Sequence, residues 1–422
     1  MPKIKTIKGR QIFDSRGNPT VEAEVHTDDG NFASAIVPSG ASTGSHEAFE
    51  LRDIKSKAYI GKGVLNSIKN INGSISKELN SFDIFDQNKI DKKLIDLDGS
   101  KQKSNLGANS ILAVSIATCK LAALIKKISL YKYLGSSSSN MLPRPLMNII
   151  NGGVHANNSL RIQEFMIRPE KTETFTESLR VCFLVIQNLK KLISEKNLST
   201  TVGDEGGFAP SLENNEQALE LIIKSIELSG FKPKDDVSIC LDIASNELYK
   251  DGKYSIKSSK FEKPKEVIDY YVNLIKKYSI SSIEDPFSED DWVSWSELME
   301  FLKENNHKTQ IVGDDLFVTN KERLKKGIEQ DSANAILIKP NQIGTLTETL
   351  EVINFAQEKG LKTIISHRSG DSEDTFIADL AVATKSSQIK SGSLARSERV
   401  AKYNRLIRIE EELGNSAKMA RI

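Results

Sequence analysis

Six short apolar segments in the second half of the chain carry a charged side chain at or beside their ends: VSICLD (237–242), ISSIED (280–285), QIVGDD (310–315), AILIKP (335–340), KTIISH (362–367) and QIKSGS (388–393). Segments this short and this uniformly apolar read as strands buried on both faces, the habit of parallel sheets covered by helices. Most of the intervals hold an amphipathic stretch of helix length, as at 264–277 and 345–359. The pattern predicts an α/β fold, and so many consecutive units favour a closed β/α (TIM-like) barrel over an open sheet. In such a barrel every strand C-terminus opens on one face. Asp242, Glu284, Asp314, Lys339, His367, Arg368 and Lys390 would then converge on a single mouth. A charge after an apolar strand ordinarily begins a solvated loop, and for any one of these residues that reading suffices. For the whole succession it does not.

The residue types then constrain the chemistry. Three carboxylates aimed at one place repel each other unless protons or a cation intervene. With oxygen ligands and no cysteine nearby, the expected cation is hard, Mg²⁺ rather than Zn²⁺. Such a cation would disfavour the ammonium form of Lys339, and a lysine depressed in that way can act as a general base. Arg368, Ser369 and Lys390 supply the donors expected around a phosphate or carboxylate. Together they describe an anion-binding, metal-assisted, proton-abstracting site.

The first third has a different texture. A strand near 3–13, the turn residues DSRGNP (14–19), the alternating TVEAEV and a third strand FASAIV predict a small sheet. Helical patterns follow at 63–78, 86–96 and 108–132. The polar run at 136–140, followed by Pro143 and Pro145, marks a domain boundary. The expected division is a smaller N-terminal α+β capping domain over 1–135 and a barrel over 136–422.

Composition narrows the partners. The 58 basic and 57 acidic residues leave a net charge of +1, which argues against nucleic acid as the main partner. Cys119, Cys182 and Cys240 are far apart among apolar neighbours and read as buried free thiols in a reducing compartment. The start of the chain lacks a signal-type apolar core. The most apolar stretch, 110–125, is interrupted by Lys120 and reads as a buried helix rather than a membrane span. A cytoplasmic location is expected.

Several motifs are recognisable: NIINGGVHA (148–156), QEFMI (163–167), GDEGGFAP (203–210), SIEDPF (282–287), GDDLFVTN (313–320), IKPNQIGT (338–345), SHRSGDSEDTFIADLAV (366–382) and the closing RSERVAKYNRLIRIEEEL. With DSRGNPTVE and VPSGASTG near the start, they run in order from about residue 3 to residue 413. In this the chain resembles the enolases, of bacterial type. The resemblance implies a β/α barrel of enolase type and reversible, Mg²⁺-dependent dehydration of 2-phosphoglycerate to phosphoenolpyruvate.

The resemblance also implies roles at matching positions. Asp242, Glu284 and Asp314 match the ligands of a structural Mg²⁺, and Ser42 matches a mobile-loop serine that helps hold a second, catalytic Mg²⁺. Lys339 matches the base that removes the α-proton, and Glu205 the acid that protonates the departing hydroxyl. Glu164 and His155 match residues that assist at the leaving group and close over the substrate, with Gln163 beside them. Arg368 and Ser369, in the SHRSG motif with His367, match a phosphate clamp, and Lys390 a substrate-carboxylate contact. A homodimer or larger homo-oligomer is implied as well.

Bland readings stand beside these. Gly206 and Gly207 read as plain turn glycines. Asp285 and Asp315 directly follow metal-type carboxylates, so their side chains point the other way and stabilise loops. Arg161, Gln187 and Pro340 depart from residues frequent in the family. Pro340 biases Lys339 toward an extended backbone. The competing functions are a sister acid-sugar dehydratase or racemase, disfavoured by the SHRSG clamp and the KPNQIGT lysine, and a catalytically idle binding protein on the same scaffold.

Overall fold

The computed structural model describes residues 1–40 and 44–422. The chain opens with an antiparallel meander of β1 (Ile4–Phe13), β2 (Pro19–Thr27) and β3 (Phe32–Ile36). Strict alternation in β2 turns Val21, Ala23 and Val25 inward. They pack against the apolar helix α1 (Ala108–Ile125). By length and composition alone α1 could cross a membrane, but 83% of its most apolar window is buried inside the protein. The helix expected over 108–132 is broken. Lys127 adopts φ +53, a left-handed conformation that ends α1, and a second short helix occupies Leu130–Leu134.

Eight strands close the barrel: β4 (Arg144–Asn151), β5 (Glu164–Pro169), β6 (Val237–Asp242), β7 (Ile280–Glu284), β8 (Gln310–Gly313), β9 (Ala335–Ile338), β10 (Lys362–Ser366) and β11 (Gln388–Lys390). They are ordered around the barrel as in the chain, and β11 pairs with β4. Leu146, Met166, Cys240, Val312, Ala335, Leu337 and Ile364 form a separate apolar cluster contributed by the strands. The helices after the strands bury their own apolar stripes; Trp295 on the helix Trp292–Glu304 is wholly enclosed. Truncating a side chain of that size in a core typically costs about 3–5 kcal/mol.

The expectation of a fully parallel sheet is corrected at one strand. β5 runs antiparallel to both β4 and β6. Its first residue, not its last, therefore arrives at the mouth, where Glu164 pairs with Asn151 on one side and Asp242 on the other. β4 and β5 were absent from the six strands read from the sequence. β5 has no crossover helix before it, and a hairpin-like antiparallel entry breaks the strand–helix alternation that reveals the others.

Candidate active site at the barrel mouth

The register of the strands builds one wall of the mouth. Glu164, Asp242 and Glu284 stand side by side on β5, β6 and β7, and all are buried. The ammonium of Lys390, at the end of β11, reaches across to them: 2.7 Å to Asp242 Oδ2, 2.9 Å to Glu284 Oε1 and 3.0 Å to Glu164 Oε1. On the far side Lys339 Nζ donates to Asp314 Oδ2, and the Gln342 amide donates to Asp314 Oδ1 at 2.9 Å. Lys339 is extended (φ −124, ψ 103) and followed by Pro340 at the first position of a short helix, as the Pro340 argument predicts. Gly313 permits the turn that presents Asp314, because a Cβ there would lie 2.5 Å from the Phe317 ring.

Asp285 does what its position suggested. With φ +42 it accepts the backbone N–H groups of Asp314 at 2.9 Å and Asp315 at 2.8 Å, steadying that loop as expected, yet it still lines the cleft. Asp315 stays closer to the site than expected: oxygens of Asp285, Asp314 and Asp315 lie within 4.8 Å of one another. Burial and then the neighbouring carboxylates push Glu284 and Asp285 well above the usual carboxylate range. Burial and Asp314 push Asp315 up to about 7.

This corner fits a metal ion. Its donors are all oxygens, and Glu284 Oε2 is buried without a hydrogen-bond partner among the described residues. Two ammonium groups lie where positive charge is most strongly called for. Lys339 itself is pulled both ways: burial works to lower its pKa, and the surrounding carboxylates, Asp314 first among them, together hold the amine above the ordinary lysine range; a cation bound beside it would act in the lowering direction.

A second carboxylate pair lies across the mouth. Asn148 Nδ2 donates to Glu164 Oε2 at 3.0 Å and Glu205 Oε2 at 3.3 Å. Burial and the charge of Glu205 raise Glu164 well above its normal range, despite Lys390. Glu205 goes the other way: burial opposes ionisation, but His367 and His155 hold it well below. The two carboxylates are thus shifted in opposite directions, Glu164 toward holding a proton and Glu205 toward ionisation. His155 Nδ1 lies 3.8 Å from Glu205 and 4.0 Å from Glu164. His367 Nε2 lies 3.5 Å from Glu205, too long for a good hydrogen bond. Gly206, directly after Glu205, has φ +85, and a Cβ on it would meet the Ala395 carbonyl at 2.7 Å. The turn reading of that glycine is correct, and the turn is what aims Glu205.

Arg368 and Ser369 are buried at the same mouth. The Arg368 guanidinium meets Glu47 from the N-terminal part of the chain at 3.0 and 3.2 Å, and Asn341 Oδ1 at 3.0 Å. Gln163 is buried, and its Oε1 has no hydrogen-bond partner among the described residues. Arg161 clasps residue 255, donating to the Ser255 carbonyl at 2.8 Å and its hydroxyl at 2.5 Å, and so ties the His155 loop to a neighbour. Gln187 is exposed on the helix Phe175–Glu195, away from the mouth. Ser42 lies outside the described residues.

His155, Gln163, Glu164, Glu205, Asp242, Asp314, Lys339, His367, Arg368, Ser369 and Lys390 all line one cleft, with Glu284 behind Lys390. The cleft has a volume of only about 30 Å³, and within it Lys390 is drawn onto Asp242 and Glu164. A larger cavity, about 760 Å³, is lined by Arg168, Lys276, Thr309 and Lys362, at the opposite end of the strands. It holds none of the mouth's residues; its own acid and base, Glu170 and Arg168, pair with each other at 2.8 Å.

Sequence reasoning assigned no role to Asn148, Gln342 or Arg399, although each lies inside a quoted motif. Each acts through another residue, which only packing reveals. Glu47 lay just beyond the VPSGASTG motif.

A closed barrel whose mouth gathers carboxylates, two lysines and an arginine defines a lyase of the metal-assisted, proton-abstracting class. The chain matches the family models for the enolase N-terminal domain over residues 4–134 and the enolase C-terminal TIM barrel domain over 139–422. It is 63% identical to an enolase of Pelagibacter ubique (strain HTCC1062) over 422 residues, covering 100% of both chains. The chain belongs to the enolase family, and its activity is that of a hydro-lyase, phosphopyruvate hydratase.

Proposed function

We propose that the mouth described above converts 2-phosphoglycerate to phosphoenolpyruvate, and the reverse, with Lys339 as base and the Glu164–Glu205 pair as source of the proton for the departing hydroxyl. The observation that carries this reading is the placement of the two groups. In an eight-stranded barrel, strands four apart face each other, and Lys339 follows β9 while Glu164 begins β5. A base and an acid on opposite walls suit an elimination in which proton and hydroxyl leave from opposite faces of the substrate.

Arg368 and Ser369 are assigned to the phosphate, with His367 beneath them. Lys390 is assigned to the substrate carboxylate. Its present hold on Asp242, Glu284 and Glu164 is then exchanged for the substrate oxygens. The pair shares one proton, resting toward Glu164, and Glu205 is assigned to deliver it to the departing hydroxyl, so that water leaves and both carboxylates are left ionised. His155 and Gln163 line the approach and exclude water from it.

Asp242, Glu284 and Asp314 would hold one Mg²⁺, and Ser42 would contribute to a second. Such ions supply positive charge against the second negative charge that builds on the substrate carboxylate as the α-proton leaves. General-base catalysis alone contributes only ~10²–10⁴-fold, so this charge stabilisation carries much of the barrier reduction. The reading extends to a division of the chain near residue 135, a homodimeric or larger assembly, and a cytoplasmic setting consistent with the three buried free thiols. The direct test is phosphoenolpyruvate formation from 2-phosphoglycerate, followed by ultraviolet absorbance with and without Mg²⁺. Absence of turnover with 2-phosphoglycerate under saturating Mg²⁺ would refute it.

A further inference from the structure

Arg368 is held by a residue that comes from outside the barrel. Glu47 grips the guanidinium through both oxygens, Oε2 to Nη1 at 3.0 Å and Oε1 to Nη2 at 3.2 Å, with both side chains buried. A bidentate carboxylate fixes the plane of a guanidinium, not only its charge. The same Oε1 also accepts from the Gly44 backbone N–H at 3.1 Å and the Gln342 amide at 3.3 Å. Gln342 passes the contact on: its amide nitrogen reaches Asp314 Oδ1 at 2.9 Å, and its Oε1 accepts from the Thr319 hydroxyl at 2.8 Å. Thr319 in turn accepts the backbone N–H of Lys339 at 2.9 Å. One carboxylate therefore ties together the arginine on one side of the mouth and the Asp314–Lys339 pair on the other.

We propose that Glu47 is a positioning residue for the reaction: it sets the orientation in which Arg368 receives the substrate phosphate, and through Gln342 it keeps the phosphate end of the site in register with Asp314 and Lys339. The inference rests on Arg368 being the phosphate contact. It follows that the barrel alone does not complete the site, since the carboxylate that orients its arginine belongs to the N-terminal part of the chain. The arrangement also explains why a negative side chain is tolerated beside a phosphate-binding group. Its charge is spent on the guanidinium edge, and it buys direction at some cost in net attraction.

The test uses the full-length protein carrying Glu47→Gln, Glu47→Asp or Arg368→Ala. The measurements are kcat and KM with 2-phosphoglycerate, the competitive inhibition constant of inorganic phosphate, and the melting temperature. Glu47→Gln keeps the shape and loses the charged bidentate grip. It is expected to weaken phosphate inhibition and raise KM about tenfold, and to lower kcat several-fold, with the melting temperature little changed; Glu47→Asp recovers part of both. A purely structural role would instead lower the melting temperature and leave KM and phosphate inhibition alone, and that outcome overturns the proposal. So does tighter phosphate inhibition in Glu47→Gln, which would mean that Glu47 only competes with the ligand. Arg368→Ala separates the two levels. Phosphate inhibition lost there but unchanged in Glu47→Gln defeats the role of Glu47 alone, whereas inhibition unchanged in Arg368→Ala defeats the assignment of the phosphate contact on which it rests.

Discussion

Arg399 donates from Nη1 to Nδ1 of His367 at 2.5 Å. A guanidinium can only donate, so Nδ1 must accept and the imidazole proton sits on Nε2, facing Glu205. Arg399 is itself completely buried and also donates to the backbone carbonyls of Arg368 at 2.5 Å and Ser369 at 2.6 Å. One side chain thus sets the tautomer of the histidine and the path of the SHRSG segment.

This relationship predicts a pH dependence of stability. Burial and then Arg399 push the His367 pKa from its ordinary 6.5 down to about 4, against the pull of Glu205. The unfolded chain binds a proton below about pH 6.5 that the folded chain refuses until about pH 4, so stability falls as pH falls through that window. The full effect is about 3 kcal/mol. Denaturant midpoints measured at pH 7 and pH 5 should show a smaller loss in His367→Gln than in wild type, by about 2 kcal/mol. Equal losses would mean that His367 does not titrate as described.

Asn148 donates a hydrogen bond to each member of the carboxylate pair. Hydrogen bonds to charged groups are worth about 1.5–3 kcal/mol, so Asn148→Ala should lower kcat roughly 10- to 100-fold. Single-turnover kinetics would check it; a kcat within twofold of wild type would show that the pair needs no bridge.

Lys339→Ala removes the assigned base and Glu205→Gln the assigned acid. Each should reduce turnover by at least ~10²-fold. Exchange of the substrate α-proton with solvent deuterium, read by NMR, separates them. It should vanish in Lys339→Ala and persist above net turnover in Glu205→Gln. Persistent exchange in Lys339→Ala would place the base elsewhere.

Chelation should abolish activity, and added Mg²⁺ should restore it. A ligand that binds only the folded chain raises its stability by mass action, about 2.7 kcal/mol at a hundredfold excess over Kd. The melting temperature should therefore rise with Mg²⁺ in wild type and stay flat in Glu284→Gln. An undiminished rise in that variant would remove Glu284 from the metal set.

Much of this is legible in the amino-acid sequence. The strand VSICLD is found at its expected bounds, and the charged strand ends do meet at one mouth. The legible elements are those whose signal is local: uniformly apolar strands, amphipathic intervals and motifs whose residues sit together in the chain. The failures are equally specific. β4 and β5 escaped because an antiparallel entry carries no crossover helix. The hydrogen bond between Lys339 and Asp314 was equally out of reach, because which charges meet a buried amine is set by distance in space and not by position in the chain.

The amino-acid sequence by itself determined the family, the barrel and the inventory of acids, bases and cations, since each of these is written in residue type and spacing along the chain. The tertiary structure decided which of those groups act on one another: Asn148 between two glutamates, Lys390 among three carboxylates, Glu47 on Arg368 from 321 residues away. The reason is that Coulomb and hydrogen-bond energies depend on separation in space over a few ångströms. Only the closed barrel and the loops packed over it bring such distant residues within that range.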